Sequence, residues 1–340
     1  MPGNILFDVV FKITAFCLLA VFFSLSHSPE ILADDTISTV EQINRNYTGN
    51  LGKYSVVVHA VASLSNLTQD GFKVSELSGL AWDKDEQILY ALSDNGYILH
   101  LRPRFRDGNL ENITLVSGYS LHDEKGKILK YRNSDSEGIA IRNSDNNIKG
   151  DTELYVCFER IPRIIRYSMT GTYLGAEQLP EHLAKIENYS SENKSLESIA
   201  IHPEFGIIVG TERPLNNETG DLLYLYSLSG HKWNIPVQNA YYGGLVDLAL
   251  MDDNSILVLE RSYGGLIPTM EISLHRLVPE NNEAELLIAF KPADDIFNEN
   301  YEGIARYEGN RYFMVSDDNN HPLNKTLLLY ISINRNERLN

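Results

Sequence analysis

A two-part phrase recurs along this chain, and it limits the possible folds more sharply than any other feature. In its clearest copy Asp135-Ser136-Glu137-Gly138-Ile139-Ala140-Ile141 is followed, after a polar gap, by Leu154-Tyr155-Val156-Cys157-Phe158-Glu159-Arg160. Each half has strand length and strand composition, so the phrase reads as a β-hairpin that opens and closes on a carboxylate. Related phrases begin at Ser78, Glu197, Val246 and Glu302, and the shared alanines at 81, 140, 200, 249 and 305 are 59, 60, 49 and 56 residues apart. That period suits a four-stranded propeller blade with long loops, and it exceeds ankyrin, leucine-rich and tetratricopeptide units.

The predicted fold is therefore an all-β propeller of five four-stranded blades, with six as the alternative. Outer strands are expected at Tyr97–Leu101, Ile164–Met169, Asp221–Leu228 and Ile272–Leu277, and one short helix within Leu179–Asn188. An apolar strand, Tyr54–Val61, precedes the first phrase, and another, Leu327–Ile333, follows the last. Pairing these two would complete the final blade and close the ring without free edges. The domain reading is a signal peptide over 1–33, a polar linker over 34–52 and one propeller domain over 53–335, which a chain of 340 residues can fill alone.

The signal reading rests on Lys12, the apolar run Ile13–Leu25 and Ala33 before Asp34-Asp35. It predicts a secreted or periplasmic protein with no stable membrane insertion after cleavage, or, if uncleaved, an N-terminally anchored one. Cys17 would leave with the signal, so Cys157 would remain without a partner and no disulfide framework is available. Cys157 is expected to be a small buried hydrophobe. The net charge of −17 opposes binding to nucleic acid or anionic lipid and suits a protein that gathers cations. A monomer is expected.

In an antiparallel hairpin the start of one strand lies beside the end of the next. Glu137 should neighbour Glu159, and the same logic pairs Ser78 with Asp94, Glu197 with Glu212, Asp247 with Glu260, and Glu302 with Asp317. Rotation about the propeller axis would gather these groups at one mouth, joined by Asp135 and Asp318. Crowded carboxylates stay ionised only beside cations. Arg160, Arg213 and Arg261 each follow a ring glutamate and either reach the ring or point away from it. Oxygen-only ligands favour Ca2+, with Mg2+ as the alternative, over Zn2+. The candidate metal ligands are thus Asp94, Glu137, Glu159, Glu197, Glu212, Asp247, Glu260, Glu302, Asp317 and Asp318. The competing explanation is that each acid only caps a turn by accepting backbone N–H bonds. His100, His202 and His321 are expected to serve packing or the surface, with His321 the one nearest the acidic loop.

These phrases resemble the phytase-like domain, also described as having esterase-like activity of phytase. The likeness rests on the Ser/Glu-Gly-Leu/Ile-Ala strand starts and the Leu-Tyr-x-Leu-Ser-Asp and Phe-Glu-Arg strand ends, over residues 53 to 335. It implies a propeller similar to the calcium-dependent phytases, acting on a small phosphorylated or ester substrate. It also implies functional acids at Asp94, Glu137, Glu159, Glu197, Glu212, Glu260, Glu302 and Asp317, while Ser78 and Asp247 depart from the pattern. The candidate catalytic set is Glu137, Glu159, Glu302 and Asp317 with Arg160, Arg213 and Arg261 as anion clamps. A calcium-dependent esterase or lactonase and a non-catalytic binding propeller are the alternative functions.

Overall fold

The computed structural model describes residues 35–49, 52–238, 243–264, 269–290 and 295–336. Five antiparallel sheets contain the phrases, one each, and a two-stranded hairpin, Thr68–Gln69 with Phe72–Lys73, stands apart. In every blade the first half of the phrase is the innermost strand and the second half is its neighbour. Blade 2, for example, runs Ser136–Arg142, Glu153–Phe158, Arg163–Ser168 and Tyr173–Glu177 from axis to rim. Each innermost strand packs against those of the two adjacent blades, and that of blade 1, Leu77–Asp83, touches that of blade 5, Asn300–Glu308, so the ring is closed.

Apolar residues on both faces of the sheets explain this stacking. Between blades 4 and 5, Leu257, Leu259 and Leu274 meet Tyr301, Met314 and Leu329; between blades 5 and 1, Phe313 and Val315 meet Leu77 and Leu89. Each such side chain contributes about 1.5–3 kcal/mol by leaving water. Cys157 is fully buried in blade 2, as its apolar strand predicts.

The N-terminal strand closes the last blade. Tyr54–Leu64 pairs with Leu327–Arg335 from Ser63 opposite Leu327 to Tyr54 opposite Arg335. The segment read as a linker, 34–52, needs correction: Ser38–Thr48 is a further strand on the outer edge of blade 5, paired to Tyr54–Leu64. Only Val40, Ile43 and Tyr47 reach the core, and the rest of this edge strand is polar or charged. Edge strands need such polarity to resist pairing with other chains, and here it makes a strand look like a linker. The expected short helix appears as Glu181–Ala184 followed by a 3-10 turn, Ile186–Asn188. The signal-peptide reading, 1–33, lies outside the described residues. No helix among the described residues is long and apolar enough to cross a membrane.

Candidate functional site

Each innermost strand breaks register at its start, where one extra residue bulges out of the ladder: Ser78, Glu137, Glu197, Val246 and Glu302. A bulge re-aims a side chain that pairing would otherwise fix. The residue after it must tolerate the neighbouring blade. A Cβ on Gly138 would lie 2.8 Å from Ser198 Cα, which is why glycine stands there.

The strand register also identifies the second acid of each hairpin, one residue beyond the partner of the residue that precedes the bulge. In blades 1, 2, 3 and 5 these positions hold Asp94, Glu159, Glu212 and Asp317. In blade 4 the matching residue is Arg261, because Leu245 pairs with Glu260 and the bulge is Val246. Two predicted ligands are therefore corrected. Glu260 faces away from the mouth and accepts His275 Nε2 at 2.7 Å and the Gln238 N–H at 3.0 Å. Asp247 occupies the glycine position, and its carboxylate binds the N–H groups of Leu248 at 2.8 Å and Ile304 at 2.7 Å, tying blade 4 to blade 5.

Blades 2 and 3 form the acidic half of the mouth. Oxygens of Glu159, Glu197 and Glu212 lie within 4.8 Å of one another, as do those of Asp135, Glu137 and Glu159. Glu197 is 6% exposed, and neither it nor Glu137 has a hydrogen-bond or ion-pair partner among the described residues. Burial, then repulsion from Glu159 and Glu302, pushes Glu137 well above the usual carboxylate range. Glu197 moves the same way through burial and the charges of Glu137 and Glu212. Burial, Asp135 and Glu212 raise Glu159 to about 8. Burial and Glu76 raise Asp94 to about 9, and burial and Glu302 raise Asp317 to about 7. The ring thus carries more negative charge than its own cations offset, and its donor set suits a hard divalent ion.

Blades 4 and 5 form a different half. Arg261 pairs with Glu302 and donates to Asn300 Oδ1 at 2.6 Å; Asn300 in turn donates to Glu302 at 2.6 Å and Asp317 at 3.3 Å. Burial alone would lower the Arg261 pKa, but the carboxylates of Glu302, Glu197 and Glu212 outweigh it and push it up. Beside this network lies a cleft of about 700 Å3 bordered by Lys194, Glu212, Arg213, Arg261, Tyr263, Met270, Glu299 and Glu302. Of the other predicted arginines, Arg160 pairs with Asp135 and Arg213 donates to the Gly243 carbonyl.

Asp318 does not present its oxygens to the mouth. It accepts Ser75 Oγ at 2.7 Å, the N–H groups of Glu76 and Asn320 at 3.0 and 3.1 Å, and Asn66 Nδ2 at 3.2 Å. This is the turn-capping role, and His321 likewise serves its own turn by accepting the Leu323 N–H. His202 accepts the N–H groups of Glu204 and Phe205, and His100 meets the Met169 carbonyl at 2.8 Å. Sequence reasoning missed Lys194, which reaches Glu212 at 3.2 Å, and Glu76, whose charge acts on Asp94. It also missed Asn300. The available signal was position: Glu76, Asp135 and Asn300 each stand two residues before a bulge.

The family described as phytase-like, esterase-like activity of phytase, matches residues 73–320. None of the proteins of curated function is similar in sequence. Among solved structures, Saccharomyces cerevisiae Sqt1 is 13% identical at a TM-score of 0.37, covering 83% of this chain and 81% of that one. A luciferin-regenerating enzyme is 12% identical at 0.39, covering 76% and 92%. Chaetomium thermophilum Raptor is 12% identical at 0.36, covering 72% of this chain and 19% of that one.

Proposed function

The chain belongs to the phytase-like family, and on that premise we propose that it is a phosphoester hydrolase that works with a divalent cation, calcium foremost. The observation that carries this reading is Glu197, a carboxylate 6% exposed, without a partner among the described residues, and within 4.8 Å of Glu159 and Glu212. Burying an unpaired carboxylate between two others is costly unless a cation joins them. Glu159, Glu197 and Glu212 would hold the ion. Calcium, with its tolerance for many oxygen ligands, fits them better than magnesium, which demands a near-ideal octahedron.

When bound, such an ion supplies Lewis acidity, drawing charge from the ester oxygens and making a nearby water more acidic. The chain's own groups supply the rest. Asp135 is engaged by Arg160, which leaves Glu137 as the carboxylate able to accept a proton from the attacking water. Arg261, Arg213 and Lys194, on the cleft side, hold the anionic oxygens.

The test is phosphate release from 4-nitrophenyl phosphate by the calcium-loaded protein, with calcium binding followed by calorimetry. EDTA should abolish release and added calcium restore it, and Glu197→Gln should weaken binding and release together. Turnover that persists in EDTA, or calcium binding with no turnover of any phosphoester, would overturn the reading.

A further inference from the structure

The cleft beside Arg261 has walls of two kinds, and from them we infer that its ligand is an amphiphilic ester anion. This ligand carries a single phosphoryl or carboxyl head joined to an aryl or alkyl group, and is not a compact polyphosphate. That this ligand is the substrate rests on the hydrolase reading; that it binds here does not.

The head-group end is Arg261. Its Nη1 serves Asn300 and Glu302, and its Nε and Nη2 have no acceptor among the described residues. Two residues further along the same strand stands Tyr263, on the same side because strand side chains alternate. Two residues of strand span about 7 Å, close to the length of a phenyl ester from its anionic oxygens to its ring. Tyr263 is 57% exposed, which is unusual for a large aromatic, and Met270 is its cross-strand partner. Both border the same cleft as Arg261. A tyrosine and a thioether set side by side present an apolar surface that an alkyl or aryl group would cover.

Charge argues for one anionic group and against several. The cations of the cleft, Lys194, Arg213 and Arg261, face the carboxylates Glu212, Glu299 and Glu302. Glu159 and Glu197 stand just beyond Glu212. A ligand with phosphates on every side would bring some of them against these acids, whereas a single head with an apolar tail would not. The repulsion acts at short range, where salt screens it least.

The experiment uses non-hydrolysable probes and the full chain at saturating free calcium, so that no turnover is needed. Phenylphosphonate should bind about tenfold more tightly than methylphosphonate, a difference of about 1.4 kcal/mol, and inositol hexakisphosphate more weakly than either. Tyr263→Ser should abolish the phenyl preference and leave methylphosphonate affinity, calcium affinity and melting temperature unchanged. Equal affinities for the two phosphonates, a phenyl preference that survives Tyr263→Ser, or tighter binding of the hexakisphosphate would each overturn the inference. A phenyl preference in a protein that turns over no phosphoester would sink the hydrolase reading alone.

Discussion

Blades 2 and 3 and blades 4 and 5 place the same backbone positions at the same mouth, but blade 4 fills its two with Val246 and Arg261 where the others carry acids. In the first pair the bulge and strand-end positions hold Glu137, Glu159, Glu197 and Glu212, and no described cation touches Glu137 or Glu197. In the second pair Val246 replaces the bulge glutamate and Arg261 replaces the strand-end acid, so that Glu302 is neutralised by the neighbouring blade. A uniform ring would repel itself equally everywhere. Substituting one hairpin sets Arg261 among the acids on one side of the mouth and leaves Glu137 and Glu197 without a described cation on the other. The divergence of blade 4 from its siblings is thus what could turn a symmetric scaffold into a site for a charged ester.

The largest way to break this comparison is to remove its cation. Arg261→Met should destabilise the fold by about 3–5 kcal/mol, because the Glu302 carboxylate is left in a largely buried place without its partner. Adding Glu302→Gln should recover most of the loss, since two neutral residues leave no orphaned charge. Urea unfolding of the two single variants and the double variant gives the coupling directly. Additive losses would show that the two halves are not electrostatically distinct.

How much of this was legible depended on what kind of signal carried it. The repeat, the closure of the ring and the acidic mouth were readable because apolar alternation and recurring strand-end acids are written in residue type. Blade 4 was misread because Leu-Glu-Arg matches Phe-Glu-Arg as a string, which aligns Glu260 with Glu159. The ladder instead aligns Arg261 with Glu159, since Ala249 faces Leu257 as Ala140 faces Tyr155. Counting from the alanine partner would have placed Arg261 correctly. Lys194 lies on the connection between blades 2 and 3, where no periodicity operates, and Asn300 opens the innermost strand of blade 5 at a position that no other blade fills with an amide.

A smaller effect concerns metal and pH across the whole mouth. In the cation-free fold Asp94, Glu159 and Asp317 titrate at about 9, 8 and 7, against 3.8, 4.5 and 3.8 for the ordinary groups. Above about pH 4 the folded state therefore binds more protons than the unfolded chain, so stability falls as pH rises from about 4, and the loss is complete only above about 9, past the highest folded value. The melting temperature of EDTA-treated protein should fall from about pH 5 to pH 9, most steeply below about pH 7. Calcium at about a hundred times its Kd should add about 2.7 kcal/mol and flatten that slope. A melting temperature indifferent to both EDTA and pH in this range would remove the case for a cation in blades 2 and 3.

The smallest effect concerns Asp318, which sits beside the ring in sequence yet spends its oxygens on Ser75, Glu76, Asn320 and Asn66. Asn at this position keeps one acceptor oxygen but turns the other into a donor that would face Asn66 Nδ2, so Asp318→Asn should cost about 1 kcal/mol of stability. Calcium affinity should not change, because the bonds made by this carboxylate fix the loop and not an ion. Asp317→Asn, one residue earlier, removes a charge that lies against Glu302. Without EDTA-sensitive ions it should relieve repulsion and leave stability equal or higher. Calorimetric titration of the two variants side by side decides the matter: if Asp318→Asn weakened calcium binding as much as Glu197→Gln, the ion would sit nearer blade 5, and the division of the mouth into two halves would be wrong.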